Sequence, residues 1–225
     1  MSDAAPPSEA RSGPGRVAIR RSPTRVAVAA LALFMCLAIL ISRHPRVALD
    51  DVVRAWVIAV NRPAGVAFFA FVSTVGSVTP MIIYAVIIIA LAAILRRSMV
   101  PLTVLLAPLA AVFAYLGTKS IVVRPRPSGV GNAFEGTYSF PSAHATTSSA
   151  VCCAMAYLLY REGLLSGVTA VTGAAIICLL VGISRIYLDV HWATDVIGGW
   201  FLGTAIGATA SALYESAGGP GARRQ

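Results

Sequence analysis

The sequence has 225 residues, of which 57% are hydrophobic and only 12% are charged, and its formal net charge is +9 at pH 7. A soluble domain carries about 25% charged residues, so this composition argues against an ordinary soluble protein and indicates a chain that folds in lipid. Many of the basic residues lie in polar tails, with no basic stripe interleaved with aromatic residues, which favours contact with anionic lipids over nucleic-acid binding.

The N-terminal third of the chain predicts a tail, a first span and a broken apolar region. Residues 1–23 are rich in Pro, Ser, Gly and Arg, so we expect a disordered cytoplasmic tail. The uncharged run 26–42 predicts a retained first span, because it exceeds the apolar core of a signal peptide and lacks a small-x-small cleavage site. Residues 63–95 are too many for one span, and a Gly-Ser-Val-Thr-Pro break at 76–80 divides them. We expect interfacial helices before this break and the second span, at 80–95, after it.

Four more apolar runs follow, at 98–118, 143–160, 165–183 and 194–214, before a disordered basic tail at 215–225. The sequence therefore predicts an all-α integral-membrane bundle of six transmembrane helices over residues 24–214, with interfacial helices after the first span. Arginines just before the first span place both termini in the cytoplasm. The Arg-rich, Ala-rich composition suggests a bacterial inner-membrane protein, whose loops after the third and fifth spans face the periplasm or exterior.

Polar residues gather in three segments on this outer face, and the first segment is 119–127. Lys119, the only lysine of the chain, precedes Arg124 and Arg126, and each of these arginines is followed by a proline. Cations at a span end can snorkel to the interface. Arginines held in an extended backbone by proline also suit bidentate phosphate binding. For Arg124 we favour snorkelling over binding of a second phosphate or a headgroup.

The second segment, 141–144, opens the fourth span with Pro-Ser-Ala-His. Ser142 is expected to be a helix N-cap, and a helix N-terminus also binds anions through its free N–H groups. His144 lies in this first turn, where a single histidine is more often structural than catalytic.

The third segment, 184–195, contains Ser184, Arg185, His191 and Asp195. His191 and Asp195 are four residues apart, so on a helix they share one face. The carboxylate can then fix the tautomer of the imidazole and leave its other nitrogen free to attack. A histidine–aspartate pair that only stabilises a helix end is the structural alternative.

The three segments together describe a site for a phosphoryl group. Phosphoryl transfer needs cations around the equatorial oxygens, a nucleophile in line and an acid for the leaving group, and the segments supply all of these. Because the sequence has no Asp/Glu cluster with metal-ligand spacing, we expect the cations to replace Mg²⁺, with neither metal nor cofactor. In the loop after 127, Glu135 is expected to be solvated rather than bound to a headgroup amine.

The order Lys-x6-Arg-Pro, Pro-Ser-x-His and Ser-Arg-x5-His-x3-Asp, from Lys119 to Asp195, resembles the type 2 phosphatidic acid phosphatase family. That family shares its site with vanadium-dependent haloperoxidases and glucose-6-phosphatase. One departure is Ala143, which stands where the family usually has Gly; the backbone N–H survives this change. A soluble haloperoxidase is disfavoured by the apolar composition.

The resemblance implies roles for these residues. His191 would attack phosphorus to form a phosphohistidine, Asp195 would orient it, and His144 would protonate the leaving group and then activate water. The phosphoryl oxygens would be held by Lys119, Arg126, Ser142, the Ala143 N–H and Arg185.

The expected activity is hydrolysis of a lipid phosphate or diphosphate of the undecaprenyl diphosphate, phosphatidylglycerol phosphate or phosphatidic acid class. Lipid A phosphate is also possible, and undecaprenyl diphosphate is the first choice because a bacterial cell must recycle it at this face. A lipid phosphotransferase that uses the same phosphohistidine is the alternative. A transporter or binding protein with a relict site is disfavoured, because every catalytic role has an occupant. Membrane lipids are the expected partners; the sequence gives no oligomeric state.

Overall fold

The computed structural model describes residues 23–94, 101–127 and 138–217, and these residues form an all-α structure. Eight helices are found in them: α1 (Pro23–Arg43), α2 (Ala48–Val60), α3 (Pro63–Val75), α4 (Val78–Ile94), α5 (Pro101–Ile121), α6 (Ala143–Arg161), α7 (Gly167–Tyr187) and α8 (Ala193–Ser216). The predicted all-α membrane bundle is thus confirmed as a fold class.

The helices α1 and α4 to α8 occupy the six segments that the sequence predicts as spans. Within the described residues, α1, α7 and α8 are long and apolar enough to cross a bilayer, and α3 with α4 would make a fourth span bent by 48°. The count of six stays a prediction, because only Leu105–Ile121 of α5 is identified as an apolar helix, which is shorter than a full span, and α6 is rich in Ser and Thr.

Helix α6 lies at the centre of the bundle, with α4, α5, α7 and α8 around it. Its first half carries buried hydroxyl residues instead of large aliphatic ones: Thr146, Thr147, Ser148 and Ser149. Thr146 Oγ donates to the Ser142 carbonyl at 2.8 Å, so the hydroxyl is satisfied without a partner helix. Small side chains of this kind let neighbouring backbones come close.

A row of glycines on α8 makes the closest approach to α6. A Cβ on Gly199 would lie 2.9 Å from the Ser142 carbonyl oxygen, one on Gly203 would lie 2.3 Å from that of Thr146, and one on Gly207 would lie 2.6 Å from that of Ala150. Small residues at four-residue spacing on a membrane helix are typical of a close-packing surface, and these distances show one between α8 and α6.

The two helices between α1 and α4 pack on the end of the bundle that holds the polar segments. Helix α2 contacts α7 and α8, and α3 contacts α7. With 13 residues each, they reach only about 20 Å, which is short of a bilayer core. Their predicted interfacial position stays a prediction.

Several expectations lie outside the described residues. These are the disorder of most of the predicted tails 1–23 and 215–225, the end of the second span at residue 95, and the role of Glu135. Pro23 begins α1 and Ser216 ends α8, so these ends of the tails are helical instead.

Candidate functional site

The three polar segments meet at one end of the bundle, where α5 and α7 end and α6 and α8 begin. The backbone joins two of them directly, because the Ser142 N–H donates to the Asp195 carbonyl at 3.0 Å. A side chain joins the third, because Arg126 donates to the Val190 carbonyl at 2.8 Å. Segments that are far apart in sequence are therefore held within hydrogen-bonding distance of one another.

His191 lies between two fixed partners. It precedes α8 by two residues, so it is in the loop and not on the helix as expected, yet its Nδ1 still lies 3.3 Å from Asp195 Oδ2. Its Nε2 lies 3.2 Å from the Arg126 guanidinium. An arginine can only donate, so Nε2 must accept and Nδ1 must carry the proton toward the carboxylate. This tautomer leaves the Nε2 lone pair directed at the cation, where an anionic phosphoryl group would bind.

Asp195 has a second local contact that explains its position. As the third residue of α8 it accepts from the Trp192 N–H at 3.0 Å, which satisfies a free amide at the helix start. The carboxylate is fully buried. The local sequence thus places an oriented carboxylate beside the imidazole.

Lys119 and Arg126 converge on one carbonyl. Lys119, in the last turn of α5, donates to the Tyr138 carbonyl, and Arg126 reaches the same oxygen at 3.5 Å. Lys119 is buried, whereas Arg126 is partly exposed. Tyr138 was not singled out from the sequence, since its carbonyl gives no signal there.

The start of α6 presents an unused hydroxyl. Ser142 is at the N-cap position, as predicted, but its side chain makes no capping bond. Its Oγ is buried and has no hydrogen-bond partner in the parts of the chain that the structure describes. Ala143 and His144 follow in the first turn of α6, and both are partly exposed. A helix N-terminus with a spare hydroxyl can receive an anion.

Arg185 is buried in the last turn of α7. Its guanidinium donates to Ser73 of α3 at 2.5 Å, and its carbonyl accepts from the His191 N–H at 3.3 Å. The structure thus ties Arg185 to the backbone of His191. Ser73 was not predicted as a site residue. Its only sign in the sequence is that it is a polar residue in a mostly apolar stretch.

The interpretation of Arg124 as a snorkelling side chain is wrong. Its side chain is 1% exposed and forms ion pairs with Asp195 at 2.5 Å and with Asp50 at 2.6 Å. A guanidinium needs charged partners once it leaves water, and two carboxylates satisfy it here. Asp50, near the start of α2, is likewise buried. It was missed, because two aspartates in the first turn of a helix are usually exposed to solvent, where they interact with the helix dipole.

A more exposed contact joins α2 to the loop before His191. Arg54 forms a bidentate pair with Asp189 at 2.8 and 2.9 Å, and this hydrogen bond raises the pKa of Arg54. Asp189 has φ of 52°, a left-handed conformation that Asp tolerates better than most residues. The indole of Trp192 donates to the Pro125 carbonyl at 2.9 Å, which fixes the loop from its other side.

Together these groups can bind and attack a phosphoryl group. Arg126 contacts the imidazole whose Nδ1 faces Asp195, and the start of α6 adds a helix dipole at the same end of the bundle. In the described ranges, no group of three or more His, Cys, Asp or Glu side chains could hold a metal ion.

Comparisons with known proteins point to one family. A family model described as the PAP2 superfamily matches residues 100–218. Phosphatidylglycerophosphatase B of Bacillus subtilis (strain 168) is 40% identical over 88 residues, which are 38% of this chain and 43% of that protein, so the match spans less than half of the relative. A crystal structure of the first transmembrane PAP2 type phosphatidylglycerolphosphate phosphatase from Bacillus subtilis has a TM-score of 0.78 and 27% identity, covering 84% of this chain and 96% of that one.

Proposed function

This chain belongs to the PAP2 superfamily, and from that membership we propose that it is a membrane phosphohydrolase that removes a phosphoryl group from a lipid phosphate or diphosphate. The observation that carries the proposal is the placement of His191 between Asp195 and Arg126, at 3.3 and 3.2 Å. This arrangement supplies a nucleophile, the group that orients it and a cation for the phosphoryl oxygens.

The substrate class follows from the site and from the relatives. The site offers several cations to the phosphoryl group and lies at the end of an apolar bundle, so it suits a phosphate carried on a lipid. Both relatives are phosphatidylglycerophosphate phosphatases by name, which makes phosphatidylglycerol phosphate the first substrate to test. Phosphatidic acid and undecaprenyl diphosphate belong in the same panel.

The first half of the reaction forms a bond from His191 to phosphorus. The Nε2 lone pair attacks phosphorus while the phosphorus–oxygen bond to the lipid breaks and its electron pair stays on the leaving oxygen. His144 gives its proton to that oxygen. Arg126, Lys119 and Arg185 hold the equatorial oxygens, with the Ser142 hydroxyl and the Ala143 N–H as further donors.

The second half regenerates the enzyme. A water molecule loses a proton to His144 and attacks phosphorus, and the phosphorus–nitrogen bond breaks to return the electron pair to His191. Asp195 stabilises the positively charged imidazole between the two halves through the Nδ1 proton. In this scheme no metal ion takes part, because the protein cations neutralise the phosphoryl charge.

The site faces the periplasm or exterior of a bacterial inner membrane in this proposal. The arginines before the first span support a cytoplasmic N-terminus. The three polar segments follow the third and fifth predicted spans, so an odd number of spans would place them on the opposite face.

Phosphate release from a panel of the three lipids in detergent, with EDTA present, tests the function. We expect activity in the wild type and its loss in His191→Ala and His144→Ala. Activity should be retained in His44→Ala, which changes the one remaining histidine of the sequence, an exposed residue. Activity that survives His191→Ala would refute the mechanism, and activity abolished by EDTA would refute metal independence. Transfer of labelled phosphate to a second lipid would identify a phosphotransferase instead.

A further inference from the structure

We propose that Asp50 and Arg124 are positioning residues for the nucleophile, which set the place and the charge of the Asp195 carboxylate. This inference rests on the proposed function, since it concerns how His191 is prepared for attack. Neither residue faces the position proposed for the phosphoryl group, and both are 1% exposed. Their effect on the reaction must therefore pass through Asp195.

The guanidinium of Arg124 is held on every side. Its Nε donates to the Pro45 carbonyl at 2.9 Å, one terminal nitrogen donates to Asp195 Oδ1 at 2.5 Å and to Thr194 Oγ at 2.8 Å, and the other donates to Asp50 Oδ2 at 2.6 Å. Because all three nitrogens are engaged, the planar group has one orientation. It presents a fixed donor to Asp195 on the oxygen that does not face His191.

Asp50 completes the arrangement from a different helix. Its Oδ1 accepts from the Thr194 N–H at 2.8 Å, and its Oδ2 accepts from the Thr194 hydroxyl at 2.7 Å. It therefore accepts a hydrogen bond from a backbone N–H at the start of α8 that has no partner within the helix, one residue before Asp195. The carboxylate that orients His191 is thus locked both through its own oxygen and through the backbone beside it.

Charge gives Asp50 a second effect. Arg124 alone would neutralise Asp195 and weaken its attraction for the imidazole. With Asp50 present, two carboxylates share one guanidinium, so the buried cluster keeps an excess negative charge beside His191. The imidazole becomes positive when Nε2 gives its lone pair to phosphorus, and a preorganised negative charge stabilises that state.

A purely structural role would give a different pattern, and the chain offers a matched control. Arg54 also ties α2 to the catalytic loop, through its ion pair with Asp189 and its position over the Trp192 ring. If Asp50 only held α2 in place, breaking the Arg54 pair would have the same kinetic effect. Arg54→Gln is therefore compared with Asp50→Asn, which keeps the shape of the side chain and removes its charge.

The experiment measures kcat and KM of both variants on dioleoyl phosphatidic acid and dioleoyl phosphatidylglycerol phosphate in detergent micelles. We expect Asp50→Asn to lower kcat by about 10- to 100-fold, the effect of weakening hydrogen bonds to a charged group, with KM within about threefold. Arg54→Gln should keep kcat within about threefold of the wild type. Asp50→Glu, which restores the charge, should recover part of the loss. Equal losses in Asp50→Asn and Arg54→Gln, or an unchanged kcat in Asp50→Asn, would overturn the proposal.

A spectroscopic readout separates this inference from the proposed function. The chain has three histidines, so ¹⁵N-histidine NMR with a His191→Gln reference identifies the ring nitrogens of His191. We expect protonation at Nδ1 in both proteins, because Arg126 and Asp195 remain, and a changed chemical shift of the Nδ1 proton in Asp50→Asn, because its hydrogen bond to Asp195 weakens. This readout needs no turnover: a wild type inactive on every lipid would refute the function alone, whereas an unchanged Nδ1 proton shift in Asp50→Asn would refute the role of Asp50.

Thr194→Val covers the case in which Asp50→Asn does not fold. It removes the hydroxyl that bridges Asp50 and Arg124 but keeps all charges and nearly the same volume. We expect kcat to fall by about 10- to 100-fold, the combined effect of the lost hydrogen bonds from Arg124 and to Asp50, with KM unchanged. A wild-type kcat in this variant would contradict the positioning role.

Discussion

Gly203 is where α8 comes closest to α6, and Gly203→Ala tests whether this contact holds the site together. An added Cβ would lie 2.3 Å from the Thr146 carbonyl oxygen, 2.7 Å from Ser149 Cβ and 2.9 Å from the Ala150 nitrogen. Unstrained contacts between such atoms need about 3.5 Å. Since two of these atoms belong to the backbone, α6 and α8 must separate by about 1 Å.

The size of the effect follows from this separation. Overpacking of this kind costs about 1–3 kcal/mol, and the better helix propensity of Ala offsets up to about 1 kcal/mol of it. We therefore expect the free energy of unfolding to fall by about 1–2 kcal/mol. The backbone contact between Ser142 and Asp195 lies at the end of the same helix pair, so a shift of about 1 Å there should lower kcat by about 10- to 100-fold.

Gly173→Ala is the matched control. Gly173 lies within α7, and nothing lies within 4 Å of a Cβ added there. This variant should be as active as the wild type and up to about 1 kcal/mol more stable. Thermal unfolding and phosphate release are measured for both variants in the same detergent. If Gly203→Ala matches Gly173→Ala in both measurements, the close-packing argument is refuted.

Three further substitutions test the site itself. Arg126→Lys should lower kcat/KM by about 10- to 100-fold in phosphate release, because an ammonium lacks the planar fork of donors that binds two phosphoryl oxygens side by side; wild-type kinetics would exclude a bidentate role. Ser142→Ala should lower kcat/KM by about 3- to 10-fold without loss of stability in thermal unfolding, since the hydroxyl has no hydrogen-bond partner among the residues that the structure describes; reduced stability would indicate a structural hydroxyl. Ala143→Gly should leave kcat unchanged and cost about 0.5–1 kcal/mol of unfolding free energy, because the backbone N–H is kept; a tenfold change in kcat would show that the methyl group matters.

Much of the fold was predictable because apolar runs are bounded by charges and motifs. The predicted span 143–160 corresponds to α6, Ala143–Arg161, and the predicted span 194–214 corresponds to α8, Ala193–Ser216. The glycine row at 199, 203 and 207 was also predictable, because a four-residue repeat of the smallest residue has few other uses in a membrane helix.

The site was only partly predictable, because a sequence motif gives the residue types and their spacing but not the direction in which each side chain points. Arg124 and Arg126 occur in the same Arg-Pro repeat, yet Arg124 points into the protein and Arg126 points to His191. The partner of Arg124, Asp50, lies 74 residues away on a helix that the sequence places at the interface. Such a pair forms only when the fold brings α2 onto the start of α8, and no local pattern reports it.

The central claim is that His191 carries the phosphoryl group, and trapping the intermediate tests it most directly. A single turnover with ³²P-labelled dioleoyl phosphatidylglycerol phosphate would be quenched in alkali, and the protein would be digested and mapped. The account predicts a base-stable, acid-labile label on the peptide that contains His191, and no label in His191→Asn. Phosphate release at the wild-type rate by His191→Asn, or a label on any other residue, would contradict it.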